Sequence, residues 1–405
     1  MSPIGASVVA LWLLASPLLA MATEEEPVVE PDPTAAILDV LDQRIQAAMD
    51  DWPQVPGHAV ALVGEHGPIW SRGYGLADRA SGRRMTADTP FLLASVSKTM
   101  IALALLSEVE AGRLRLDQAI GPLLPFTIDE PAGQGDQMEL WHLATHTSGI
   151  LDHPEYYETN NYDFAGDSIT ALGDWLNAYL SREGALYDAA LNFSGQAPGA
   201  EYAYSNIGAA LAAFIAERSS GQDYRELMQQ RFFSPLGMNN TAYRIADFEP
   251  NQLAVPYFWN EQDETVAARP HYGGATYPDG WLKSSVNDMA QVVALMINRG
   301  QHGNQSLLQS ESIDAIERQW FDTTHTEDET QALFWNLKFD GRAMVHSGYD
   351  YGTSTFVFYF PDRAMGGVVL TNTDGRGSGA MRGLSLQALT QAISALTQLN
   401  DEVSD

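Results

Sequence analysis

With 405 residues, 45% of them hydrophobic, the chain can bury one large core or two smaller ones, which is enough for a folded enzyme. Its 52 acidic against 22 basic residues give a formal net charge of -30. Such a charge repels phosphate backbones and anionic membrane surfaces, because binding them needs clustered Lys and Arg; nucleic-acid partners are therefore not expected. Cysteine is absent, which excludes disulfides, thiolate nucleophiles, Cys-ligated zinc and a lipid-modified N-terminal cysteine.

The first element is the apolar run "VVALWLLASPLLAMA" (Val8 to Ala22), ending in an A-x-A-like pattern at Ala20-Met-Ala22. It reads as a secretory signal peptide over residues 1–22, so the mature protein is expected to be secreted or periplasmic and to carry no stable membrane span. The acidic, proline-broken stretch 23–34 has little to bury and reads as a linker. A single unit is expected over 35–399. It opens with "AAILDVLDQRIQAAMDDW" at helical spacing, then a hairpin, Val60 to Val63 and Ile69 to Tyr74, turning at His66-Gly67. From Ser95 a long apolar helix, "SVSKTMIALALLSEVEAG", closes at Gly112.

Residues 113–340 read as helical segments such as "NIGAALAAFIAERSSG" and "DYRELMQQRFF", parted by Gly, Pro, Asn and Asp. After them come "RAMVHSG", "GTSTFVFYFP" and "GGVVLTNT", which are rich in strand formers, and then the helical "GLSLQALTQAISALTQL". Strands early and late with helices between predict an α/β (α+β) fold. Its one sheet is built from about 35–95 and 340–399, with a helical insertion over 113–340.

Three short motifs carry the chemistry. In "FLLASVSKTM", Ser95 and Lys98 stand three apart, which on a helix makes them neighbours. A serine hydroxyl is a weak nucleophile until a base takes its proton, and a lysine serves as that base when its charged form is disfavoured. Burial among Phe91, Leu92, Met100 and Ile101, and the positive end of a helix dipole, both act in that direction. The chain has only three lysines, and neither Lys283 nor Lys338 has a serine three positions before it. The competing reading is a helix-capping serine beside a snorkelling lysine.

Tyr204-Ser-Asn206 lies in a loop entering a buried-looking helix. A phenol beside an ammonium can carry a proton, and the Asn amide offers a substrate both a donor and an acceptor. Taken alone, Tyr204 also fits a half-buried core tyrosine, and Asn206 a helix cap. His346-Ser347-Gly348 ends a predicted strand, where an open edge can hold a substrate through backbone hydrogen bonds and Gly348 permits close approach. With a substrate held there, the backbone N–H groups of Ser95 and Tyr349 are the expected pair for an oxyanion hole.

Together and in this order the motifs resemble the serine β-lactamase and penicillin-binding-protein superfamily, in particular its class C β-lactamase and D-alanyl-D-alanine carboxypeptidase branch. "LWHLATHTSGI", "FFSPLGMNNTAY" and "GWLKSSVNDMAQV" are similar to family segments, and the likeness covers about Ala35 to Leu399. The resemblance implies a β-lactamase/transpeptidase-like fold, an antiparallel sheet flanked by helices, with the site between sheet and helical insertion. It also implies Ser95 as the acylated nucleophile, Lys98 and Tyr204 as proton-transfer partners, Asn206, His346, Ser347 and Gly348 as substrate contacts, and Ser95 and Tyr349 as oxyanion donors.

The class C β-lactamase pattern has lysine where this chain has His346. Histidine is mostly neutral near pH 7, which speaks against efficient β-lactam hydrolysis. Carboxypeptidases, D-amino-acid peptidases and esterases of the family stay open, as do a true β-lactamase and a non-catalytic cell-wall or penicillin sensor. The substrates implied are small esters, D-amino-acid peptides or β-lactams. His146 in "THTSG" reads as structural; Tyr156, Tyr157, Tyr162 and Pro256 to Trp259 fit either a cleft wall or packing. With no H-E-x-x-H, P-loop or dinucleotide fingerprint, no metal or cofactor is expected, and no G-x-S-x-G elbow points to an α/β-hydrolase.

Overall fold

The computed structural model describes residues 32–322, 330–339 and 341–404. The expected signal peptide lies outside the described residues, as does most of the linker. Helix begins before the linker's expected end: α1 spans Pro33–Asp51, with the Asp32 side chain accepting the Thr34 N–H at 2.9 Å and proline in the first turn.

The hairpin that follows is β1 (Gly57–Gly64) and β2 (Gly67–Asp78), longer at both ends than its apolar cores. Gly67 takes φ +99° at the turn, a conformation that a side chain disfavours. Next come α2 (Lys98–Glu110), α3 (Asn206–Ser220) and α4 (Val286–Ile297). The chain closes with β3 (Ala343–Asp350), β4 (Thr353–Phe360), β5 (Met365–Thr371) and α5 (Gly375–Ser404).

Nine strands among the described residues form one antiparallel sheet: 321–322, 330–331, 336–338, β3, β4, β5, β1, β2 and 83–84. The expected meeting of both chain ends is the β1–β5 pairing, with Val60 opposite Val369 and Leu62 opposite Gly367. Three edge strands come from the stretch expected to be helical. At two or three residues each they are too short for periodicity to reveal them. Loops also occupy more of 113–340 than expected, and "DYRELMQQRFF" folds as a short α-turn running into a π-helix over Gln229–Phe233.

β1 is buried along its whole length because it is covered on both faces. Its alternation sends Val60 and Leu62 against Leu41, Ile45, Leu389 and Ile393 of α1 and α5. Ala59, Ala61 and Val63 belong instead to the larger core that contains α2, α3 and α4. The small residues at 59 and 61 let those helices approach the sheet closely. α2 is apolar all round, with Met100 to Leu106 buried, and so is held between sheet and α3. That placement fixes the N-terminal end of α2, where Ser95 and Lys98 lie, beside the open end of β3.

Candidate active site

Ser95 stands in a 3₁₀ turn, Ala94–Ser97, that leads directly into α2, rather than in the α-helix itself. The residue before it, Ala94, has φ +48°, a left-handed conformation that costs a non-glycine residue about 1 kcal/mol or more. Three anchors hold this strained approach. Leu93 N–H donates to Leu282 O at 2.8 Å, Thr355 Oγ1 donates to Leu93 O at 2.6 Å, and Thr353 Oγ1 donates to Leu92 O at 2.7 Å. The sheet thus positions the serine through its own threonines.

Lys98 is fully buried. Its Nζ donates to Ser95 Oγ at 3.1 Å, to Asn206 Oδ1 at 2.6 Å and to the Asp279 carbonyl at 2.8 Å. Three N–H groups therefore have three acceptors, drawn from the start of α2, the start of α3 and the 3₁₀ turn Tyr277–Asp279. Tyr204 covers the amine, with Nζ 5.1 Å from the ring centroid and the ring 40% exposed. The contact is through the ring face; among the described residues the Tyr204 hydroxyl makes no hydrogen bond. Asn206 is not the helix cap, since Ser205 takes that place by accepting the Gly208 N–H at 2.9 Å. The Asn206 carbonyl is spent on Lys98, so the expected two-sided amide contact reduces to the NH₂ alone.

β3 pairs with 336–338 only as far as Val345, which leaves the edge from His346 onward without a strand partner on that side. Gly348 packs against the serine segment: a Cβ there would collide with Leu93 O and Thr355 Oγ1 and lie 3.1 Å from Ser95 N. Ser347 and Tyr349 are exposed, and the Tyr349 hydroxyl accepts the Gly375 N–H at 3.1 Å. His346 is buried, its Nδ1 2.8 Å from Ser347 O. Burial, with the Lys98 charge added to it, pushes the ring down to about 3, so it is neutral at pH 7.

Sequence reasoning missed two supports and undervalued a third. Asp152 accepts from Ser205 Oγ at 3.0 Å, Asn206 N at 2.7 Å and Ile207 N at 3.1 Å, which fixes the entry of α3. Burial raises this carboxyl and the three donors pull it back. Asp279 is fully buried: Oδ1 accepts from Tyr157 O–H at 3.0 Å, and Oδ2 has no partner. Burial pushes its carboxyl up to about 7 against the pull of Lys98. The only signal for it was a charge directly before the family-like "GWLKSSVNDMAQV". His146, read as structural, has φ +57°, lies under Tyr204 with ring centroids 4.3 Å apart, and accepts the Ser205 N–H at 3.2 Å. Burial holds it well below the usual imidazole range.

A cavity of about 670 Å³ lies elsewhere, lined by Phe126, Leu172, Phe214, Tyr243 and Tyr277, and none of the motif residues lines it. Among the described residues no group of three metal-ligating side chains is present, and no helix is long and apolar enough to cross a membrane.

An antiparallel sheet flanked by helices, with a Ser-Lys pair where sheet and helices meet, defines the β-lactamase and penicillin-binding-protein fold class. The beta-lactamase family model matches residues 41–392, and the chain belongs to that family. The chain is 38% identical over 247 residues to esterase EstB of Burkholderia gladioli, covering 59% of this chain and 60% of that protein. It is 24% identical over 321 residues to protein flp of Staphylococcus aureus, covering 78% of this chain and 60% of that protein. The matches thus span 60% of each of these relatives' own length. Among solved structures, D-amino acid amidase from Ochrobactrum anthropi SV3 shares the fold with TM-score 0.70 and 21% identity, over 87% of this chain and 98% of that one. EstCE1, described as a hydrolase with promiscuous acyltransferase activity, shares it with TM-score 0.70 and 21% identity, over 89% and 99%.

Proposed function

We propose that this chain is a serine hydrolase that takes an acyl group from an ester or amide onto Ser95 and then passes it to water, with uncharged esters as preferred substrates. The arrangement of acceptors around Lys98 carries this reading. An ammonium uses all three N–H groups, on Ser95, Asn206 and Asp279. A neutral amine keeps two, which Asn206 Oδ1 and the Asp279 carbonyl hold in place, so its lone pair points at Ser95 Oγ.

In that state Lys98 takes the hydroxyl proton as Oγ bonds to the substrate carbonyl carbon. The N–H groups of Ser95 and Tyr349 hold the developing oxyanion. The tetrahedral intermediate collapses by breaking the bond to the leaving group. Lys98 returns its proton to that group, and the Tyr204 hydroxyl serves as relay once it turns from the ring-face contact to meet the amine. Water repeats the sequence on the acyl-enzyme.

The preference for uncharged substrates rests on the strand edge. A substrate carboxylate there meets a neutral His346 rather than a cation, and the buried carboxyls of Asp279 and Asp350 stand nearby. The 38% identity to an esterase supports the same choice. Steady-state kinetics test it: kcat/KM for p-nitrophenyl butyrate is expected to exceed that for a penicillin or a D-Ala-D-Ala peptide by at least ~100-fold, the worth of one unmatched charge. The reverse order would refute the ester assignment.

A further inference from the structure

β3 lines the Ser95 cleft and ends at an unusual surface. Phe164 is 51% and Tyr351 42% exposed, and they belong to one cluster of rings. Tyr351 stacks on Phe258 at 5.3 Å, meets Tyr162 edge-on at 5.9 Å and lies 6.0 Å from Phe164. Phe164 in turn stacks on Tyr162 at 5.7 Å and lies 5.4 Å from Tyr272. Each ring braces its neighbour, so the exposed faces form a fixed shelf rather than loose side chains. Two hydrogen bonds add to the rigidity of the base: Tyr162 O–H donates to Asp350 at 3.0 Å, and Tyr272 O–H donates to Tyr351 O at 2.8 Å.

Two separate paths place the shelf at one end of the cleft. Along the strand, Tyr351 follows Gly348, the residue packed on Ser95 N, by three positions, a span of about 10 Å in extended chain. Through the side chains, Tyr162 packs edge-on to Trp281 at 5.2 Å, and Trp281 lies 6.4 Å from Tyr157, whose hydroxyl reaches Asp279 beside Lys98. Leaving apolar ring faces in water is unfavourable unless something covers them. The surface continues from the reacting serine along an open strand edge, which makes the substrate the occupant.

We infer that Phe164 and Tyr351 form a subsite for an uncharged aromatic group carried about 10 Å from the carbonyl that Ser95 attacks. This rests on the hydrolase reading above and names the substrate class it serves. An anionic ring is disfavoured because Asp350 underlies the shelf; Arg269 stands over the Phe258 ring at 5.6 Å, and among the described residues no cation stacks on Phe164 or Tyr351.

The test uses two series of esters: ω-phenylalkanoyl p-nitrophenyl esters, with the ring on the acyl side, and acetates of phenylalkanols, with the ring on the alcohol side. Each is compared with an alkyl ester of equal carbon number and a ring-carboxylated analogue. In at least one series kcat/KM for the phenyl ester is expected to exceed the alkyl ester by about ten-fold or more, with the carboxylated ring worse than both. That ratio falls to about two-fold or less in Tyr351→Ala and in Phe164→Ala, while Tyr351→Phe retains it. Ratios are compared within each variant, so a general loss of rate does not mimic the result. No phenyl preference in either series, or a preference that survives both alanine variants, would overturn the subsite. Calorimetric binding of the same esters to Ser95→Ala keeps the two readings apart: about ten-fold tighter binding of the phenyl ester supports the shelf whether or not Ser95 is acylated, and equal binding removes it.

Discussion

Asp279 serves the site with its backbone and burdens the fold with its side chain. The carbonyl orients Lys98, yet the carboxyl is enclosed with one oxygen unpartnered and is pushed up to about 7 by burial. Its folded value lies above the unfolded value near 3.8, so its contribution to stability is fully present below about 3.8 and is lost as pH rises through about 7. Asp279→Asn keeps the carbonyl and the Tyr157 bond but removes the charge. Thermal unfolding of this variant is expected several degrees above wild type at pH 8, with the gap narrowing steadily as pH falls through 4.5 and closing below about 3.8. A variant less stable than wild type at both pH 8 and pH 4.5 would show that the carboxyl is well accommodated. Ser95 and Lys98 were legible in sequence because three residues of helical spacing are local. Asp152 and Asp279 were not, because their partners lie 54 and 181 positions away and nothing short of the fold brings them together.

At the scale of elements, β1, β5 and α5 are joined by a histidine. His58 is fully buried on β1, with Nδ1 2.9 Å from Thr371 Oγ1 and Nε2 2.8 Å from Ser385 Oγ. Burial pushes the ring down to about 3. The folded value is below the unfolded value near 6.5, so this contribution is present above pH 6.5 and lost as pH falls toward 3. At pH 5 the loss is about 2 kcal/mol. Urea unfolding of wild type and His58→Asn at pH 7.5 and pH 5 tests the sign. Wild type is expected to lose about 2 kcal/mol more than the variant over that interval, and parallel losses would show that the ring is protonated within the fold. The long elements themselves were readable: the apolar run of β1 and the period of α1 and α5 name their own partners. The two- and three-residue strands at 321–322, 330–331 and 336–338 were not, since their pairing is set by the sheet edge they meet rather than by any pattern of their own.

Over the whole molecule, the early hairpin and the late three-stranded run close into one sheet, and the stretch between them folds over its edge to deliver Tyr204, Asn206 and Asp279 to the amine of Lys98. Order along the chain made that closure legible. The ring cluster was only half visible: Tyr162 and Pro256 to Trp259 stood out as possible cleft wall, whereas Phe164 and Tyr351 gain meaning only when two loops meet across β3. The most direct measurement is intact-mass spectrometry with peptide mapping after brief exposure to a fluorophosphonate and, separately, to a slowly deacylating ester. One adduct on the peptide containing Ser95 is expected in wild type, none in Ser95→Ala, and an adduct formed at least ~100-fold more slowly in Lys98→Ala, in line with loss of the proton acceptor. Labelling at another residue, or labelling of Lys98→Ala at the wild-type rate, would contradict nucleophilic catalysis by this serine with this lysine.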